Sequence, residues 1–115
     1  MARIFIDATG RTLADTVSFA ETRRARIVGL LGREPLGGTE ALVFAKTKQI
    51  HTFGMAYALD VVFCDADLKV LHVSRNVRPS RVTRWVIRAH YAIEMRAGSV
   101  SPEVRPGTSL RMEPA

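Results

Sequence analysis

Cysteine is nearly absent from these 115 residues: Cys64 stands alone, which excludes an intramolecular disulfide framework and a thiolate zinc site. Tryptophan is as scarce, with Trp85 the single copy. No apolar run approaches the roughly 18 residues of a membrane-spanning helix. Met1-Ala2-Arg3-Ile4-Phe5-Ile6-Asp7 reaches an acid after three apolar residues, too soon for a signal-peptide core. The lack of any internal repeat sets aside solenoid, collagen-like and low-complexity classes. These absences lead to the expectation of a soluble cytoplasmic protein in a reducing compartment, with no membrane partner and no cofactor.

What is present points to one globular domain spanning residues 1–115. Hydrophobic residues make up 47%, too many for a disordered chain, and a domain of this length buries about 65% of the surface its unfolded chain exposes. The β-type segments are short and divided by turn residues: 3–6, 16–20, 41–45, 59–64, 70–75, 91–96 and 109–112. The run 59–64 is nearly continuously apolar and is expected to be central. One segment differs. From Thr22, a plausible N-cap, Ala25, Val28 and Leu31 recur at helical spacing with Ile27 and Leu30 beside them, and Gly32 ends the pattern. The expected architecture is therefore mainly β with one α-helix: a small antiparallel β-sandwich or partly open barrel with a helix packed on it.

Three stretches carry a family resemblance. Ile50-His51-Thr52-Phe53-Gly54-Met55-Ala56-Tyr57-Ala58-Leu59-Asp60-Val61-Val62-Phe63 resembles the central motif of the bacterial and archaeal domain of unknown function 192 family. Thr22-Arg23-Arg24-Ala25-Arg26-Ile27-Val28-Gly29-Leu30-Leu31-Gly32-Arg33 and Tyr91-Ala92-Ile93-Glu94-Met95-Arg96-Ala97-Gly98 resemble its helix and its late strand. The resemblance implies a mostly β fold with one helix and implies no reaction. Two positions depart from it: Pro106-Gly107-Thr108 stands where the family usually has Pro-Gly-Asp, and Asp65-Ala66-Asp67-Leu68 where a hairpin usually reads Asp-x-x-Gly.

Within the central motif, His51, Thr52, Met55 and Asp60 place an imidazole and a carboxylate on either side of a glycine turn. If the two meet, Asp60 can hold one imidazole nitrogen while the other faces a ligand pocket. The plainer reading has Asp60 capping backbone donors and His51 as a satisfied, half-buried polar group. Cys64 follows Val61-Val62-Phe63 and reads as a small core residue, not a nucleophile. His51, His72 and His90 match no short metal-ligand spacing, so no metal site is expected.

The second constellation is electrostatic. Lys and Arg outnumber Asp and Glu by 17 to 11, a net charge of +6, and residues 75–90 contain five arginines, Arg75, Arg78, Arg81, Arg84 and Arg88, and no acid. Pro79 and the β-branched Val82, Thr83, Val86 and Ile87 argue for a loop leading into a strand. With Trp85 and Tyr91 nearby, such a loop can hold phosphates while an aromatic ring stacks on a base; five phosphate contacts would give a log–log salt slope of about −3.5 to −4.5. An acidic protein partner would use the same arginines.

The expected function is a non-enzymatic binding or accessory module with a polar pocket of His51, Thr52, Met55 and Asp60 for an anionic small molecule. The alternatives are a nucleic-acid-binding module using residues 75–88, with Trp85, and an enzyme acting on an anionic small molecule with His51 as general base.

Overall fold

The computed structural model describes residues 2–20 and 36–114. Seven strands lie within them: β1 (Ala2–Ile6), β2 (Thr12–Ala20), β3 (Glu40–Ala45), β4 (Leu59–Cys64), β5 (Val70–Val77), β6 (Tyr91–Arg96) and β7 (Leu110–Pro114). Turn chemistry separates them. In the hairpin between β4 and β5, the Asp65 carboxylate accepts from the N–H groups of Asp67 (2.9 Å) and Lys69 (3.0 Å). Leu68 sits at φ 64°, a left-handed conformation that a branched side chain adopts at some cost. Packing against the core offsets it, since Leu68 adjoins the buried apolar cluster beneath β5.

All seven strands form one sheet in the order β5-β4-β6-β3-β2-β1-β7. This corrects the expected fold class. There is one sheet and not a two-layer sandwich, and no helix occurs among the described residues; the segment expected to form one, 22–32, lies outside them. Nor is the sheet antiparallel throughout, because β2 and β3 run parallel with Thr16 beside Glu40 and Ala20 beside Phe44. Apolar periodicity reports which residues face a core. It is silent on strand direction and on whether a second sheet or loops cover the face, and that is where the expectation failed.

Buried residues lie on both faces. On the first, Ile4, Val17, Val43, Val62, Cys64, Ile93 and Met95 pack with Val100 and Val104 from the segment after β6. On the second, Leu42, Phe44, Leu59, Val61, Phe63 and Ala92 are covered by Ile50, Met55 and Ala89 from the segments before β4 and before β6. That double burial explains why β4 has no exposed residue. The strand is interior, between β5 and β6, one place from the edge.

The two edge strands converge at one end, where Lys69 bridges Ser109. Val70 N–H donates to Thr108 O (2.8 Å) and Leu110 N–H to Leu68 O (3.0 Å). Thr108 accepts from Arg105 N–H through its hydroxyl (3.1 Å).

Candidate functional site

The segment between β5 and β6, residues 78–90, contains no regular strand, yet its backbone is tied down along its length. It runs beside residues 47–52. Thr52 N–H donates to Arg81 O (2.8 Å), Thr83 N–H to Ile50 O (2.8 Å) and Val86 N–H to Lys48 O (2.8 Å), and His51 bridges Val82. Side chains reinforce this ladder. The buried Thr52 hydroxyl donates to Arg78 O and accepts from Arg81 N–H (2.9 Å). The Thr83 hydroxyl accepts from Ile50 N–H (2.9 Å), and Lys48 Nζ donates to the carbonyls of Ile87 (2.7 Å) and Ala89 (3.0 Å). Carbonyls and amides that a free loop would leave to water are paired, so the segment is a platform held in one shape.

What the platform presents is cationic and aromatic. Arg78, Arg81, Arg84 and Arg88 are exposed, Trp85 is 59% exposed and Ile87 73%. Phe53, which stacks on the His51 ring at 5.3 Å, and Val82 are exposed beside them. The strand expected over 70–75 runs on to Val77 with Arg75 on it, and the loop expected from the arginine run begins beyond it. Arg75 consequently parts from the other four. Its guanidinium donates to the carbonyls of Val100, Ser101 (3.1 Å) and Val104 (2.8 Å), fastening the segment that covers the first face.

The four residues of the central motif are dispersed. Asp60 is fully buried and faces the first cluster, where Oδ1 accepts from Asn76 N–H (2.9 Å) and Oδ2 from Gly98 N–H (3.0 Å) and Val100 N–H (3.3 Å). The cause is local. Leu59 pairs with Val77 but Val61 with Ser74, so β5 carries an extra residue there, Asn76 turns to φ 52°, and the carboxylate takes the amide that the bulge frees. Thr52 and Met55 are buried on the second face, in the roles given above. His51 is half-buried on the ladder that covers that face, so the sheet separates it from the Asp60 carboxylate. The structure brings His51 and Thr52 to the arginine platform and does not bring Asp60 there.

Cys64 is fully buried, and burial followed by the charge of Asp65 pushes its thiol up to about 12, which leaves no thiolate near neutral pH. Among the described residues no group of three His, Cys, Asp or Glu converges as metal ligands would, and no helix is long and apolar enough to cross a membrane.

One feature escaped the sequence reading. A second bulge pairs Phe63 with His72 but Cys64 with Val70, so Leu71 is an extra residue, and it and His72 both line a cleft of about 200 Å³ whose other wall is residues 84–88. The His72 and Phe63 rings stack with centroids 6.3 Å apart and planes 29° from parallel. Burial and then the Arg84 guanidinium hold its imidazole below the usual range. A register slip leaves no mark in composition, so nothing in the sequence marks His72 as an arginine neighbour.

Comparison with known proteins bears on the fold and the family. The family model DUF192, described as an uncharacterized ACR, matches residues 4–112. A crystal structure of a protein of unknown function from Novosphingobium aromaticivorans DSM 12444 superimposes with a TM-score of 0.76 at 18% identity, covering 95% of this chain and 83% of that one. A crystal structure from Sinorhizobium meliloti 1021, described as a putative transcription regulator, gives 0.74 at 23% identity, covering 96% and 91%. At these identities the likeness is one of fold. No curated protein matches the sequence.

Proposed function

The chain belongs to the DUF192 family, whose function is unknown, and on its geometry we propose that it is a non-enzymatic binding module whose 78–90 platform holds single-stranded nucleic acid. One observation carries the reading: four exposed arginines and an exposed Trp85 stand on one segment whose backbone is already fixed by its ladder to residues 47–52. Guanidinium groups meet phosphates, and an indole face stacks on any base, the pairing that sequence-tolerant single-strand binders use. A platform fixed before binding loses little entropy on binding. The anionic ligand expected for the His51 motif is thereby moved onto the ladder that His51 and Thr52 support. The transcription-regulator description of the Sinorhizobium protein is in keeping with a nucleic-acid ligand, and a single buried thiol suits the cytoplasm.

Trp85 is the only tryptophan, so emission excited selectively at tryptophan, beyond the absorption of Tyr57 and Tyr91, reads the platform. Titration with an oligothymidylate of about ten nucleotides, within the site sizes of single-strand binders, quenches the emission if a base stacks on the indole. Quenching is expected to weaken with added salt. Unchanged emission at low salt overturns the reading, and a blue shift with anionic vesicles in place of oligonucleotide quenching would assign the platform to a lipid surface instead.

A further inference from the structure

Resting on that reading, we propose that the cleft between the β5 bulge and residues 84–88 is a proton-linked phosphate subsite, in which His72 joins Arg84 and Arg88 around one phosphate of the bound strand. The bulge supplies the first part of the argument. Without Leu71 as an extra residue, alternation along β5 would turn either Leu71 or His72 away from the platform; with it, both line the cleft. The charges supply the second. Across the cleft His72 faces Arg84 and Arg88, with the Phe63 ring of β4 beside it, and no carboxylate is among the residues lining the cleft. A volume of about 200 Å³ has room for one phosphodiester with its sugar and not for a folded duplex.

The chemistry sets the direction of the linkage. In the free protein, burial and Arg84 both disfavour the imidazolium, so His72 is held below the ordinary imidazole pKa. A phosphodiester against the ring offsets part of the arginine charge and sets an opposite charge in direct contact with the imidazole, which favours the imidazolium. The bound state therefore takes up a proton that the free state lacks, and affinity rises as pH falls through the pKa of the complex, levelling off below that of the free protein. Arginine does not titrate in this range. Thymine and phosphodiester groups do not either, so a 5′-hydroxyl oligothymidylate contributes no proton of its own.

The test is the affinity of that oligonucleotide at about pH 8 and about pH 5.5, a window that brackets imidazole titration, for the wild type, His72→Gln and His90→Gln. The wild type and His90→Gln are expected to bind severalfold more tightly at the lower pH, up to about tenfold, the limit when binding raises the imidazole pKa by one. His72→Gln is expected to bind at the higher pH as the wild type does and to gain nothing on acidification. Equal pH dependence in His72→Gln, or none in the wild type, overturns the subsite while binding at the higher pH leaves the platform standing. Absence of binding at both pH values overturns both.

Discussion

Arg75 and Arg78 lie three residues apart in one acid-free run, yet the first directs its guanidinium at the carbonyls of Val100, Ser101 and Val104 and the second stands in solvent. The boundary is the end of β5 at Val77. On the strand, position is dictated by the sheet, and Arg75 is carried over the segment that covers the first face. Beyond it, the chain crosses to the second face, where its carbonyls are satisfied by residues 47–52 and the side chains are released. Asp60 belongs with Arg75: three backbone amides from two segments converge on a carboxylate buried to 1% exposure. One region uses charge to fasten backbone. The other fastens its backbone with backbone pairs, the Thr52 and Thr83 hydroxyls and the Lys48 ammonium, and leaves its four arginines exposed.

Substitutions on each side can break or sharpen this contrast. The largest effect belongs to Asp60→Ala, which leaves the part-buried amides of Asn76 and Gly98 and the buried amide of Val100 without their acceptor; denaturant unfolding is expected to show a loss of about 3 kcal/mol. Arg75→Ala removes charge-assisted bonds at a partly exposed site, and about 1–2 kcal/mol is expected, with no change in how oligonucleotide affinity depends on salt. Replacing Arg78, Arg81 and Arg84 together by Ala inverts that pattern: stability within about 0.5 kcal/mol of wild type, but weaker binding and a flatter salt dependence. The smallest effect is that of Cys64→Val at neutral pH, where the thiol is un-ionised whether folded or not. Because the folded thiol titrates near 12 and an ordinary one near 9.0, its contribution is complete below the lower value and is lost as pH rises between the two. Cys64→Val is expected to remove that part of the alkaline loss, read as melting temperature against pH.

Much of the sheet is legible in the residues. Segments 59–64 and 91–96 are strands with the bounds that their apolar runs suggest. Strand β2 begins at Thr12, four residues before its alternation becomes readable, because Leu13 and Ala14 are adjacent and both buried, which breaks a period of two. The pairing of β2 with β3 in parallel is a long-range choice with no local signature. The site was harder still. His51 and Asp60 draw attention because they are titratable and close in sequence, but nine residues of chain carry them to opposite sides of a sheet. Ladder residues such as Thr52, Thr83 and Lys48 act through backbone partners about thirty or more residues away, beyond what any local pattern encodes. The arginine run was visible as charge; its division at Val77 depends on where β5 stops.

That division is tested most directly by the salt dependence of oligothymidylate binding in three proteins: the wild type, Arg75→Ala and Arg78→Ala/Arg81→Ala/Arg84→Ala. Four phosphate contacts to a single strand give a log–log slope of about −2.8, at about −0.7 for each. The account predicts that slope for the wild type and for Arg75→Ala, and a slope of about −0.7 for the triple variant, which retains Arg88. A slope that flattens in Arg75→Ala, or that the triple variant leaves unchanged, would contradict it.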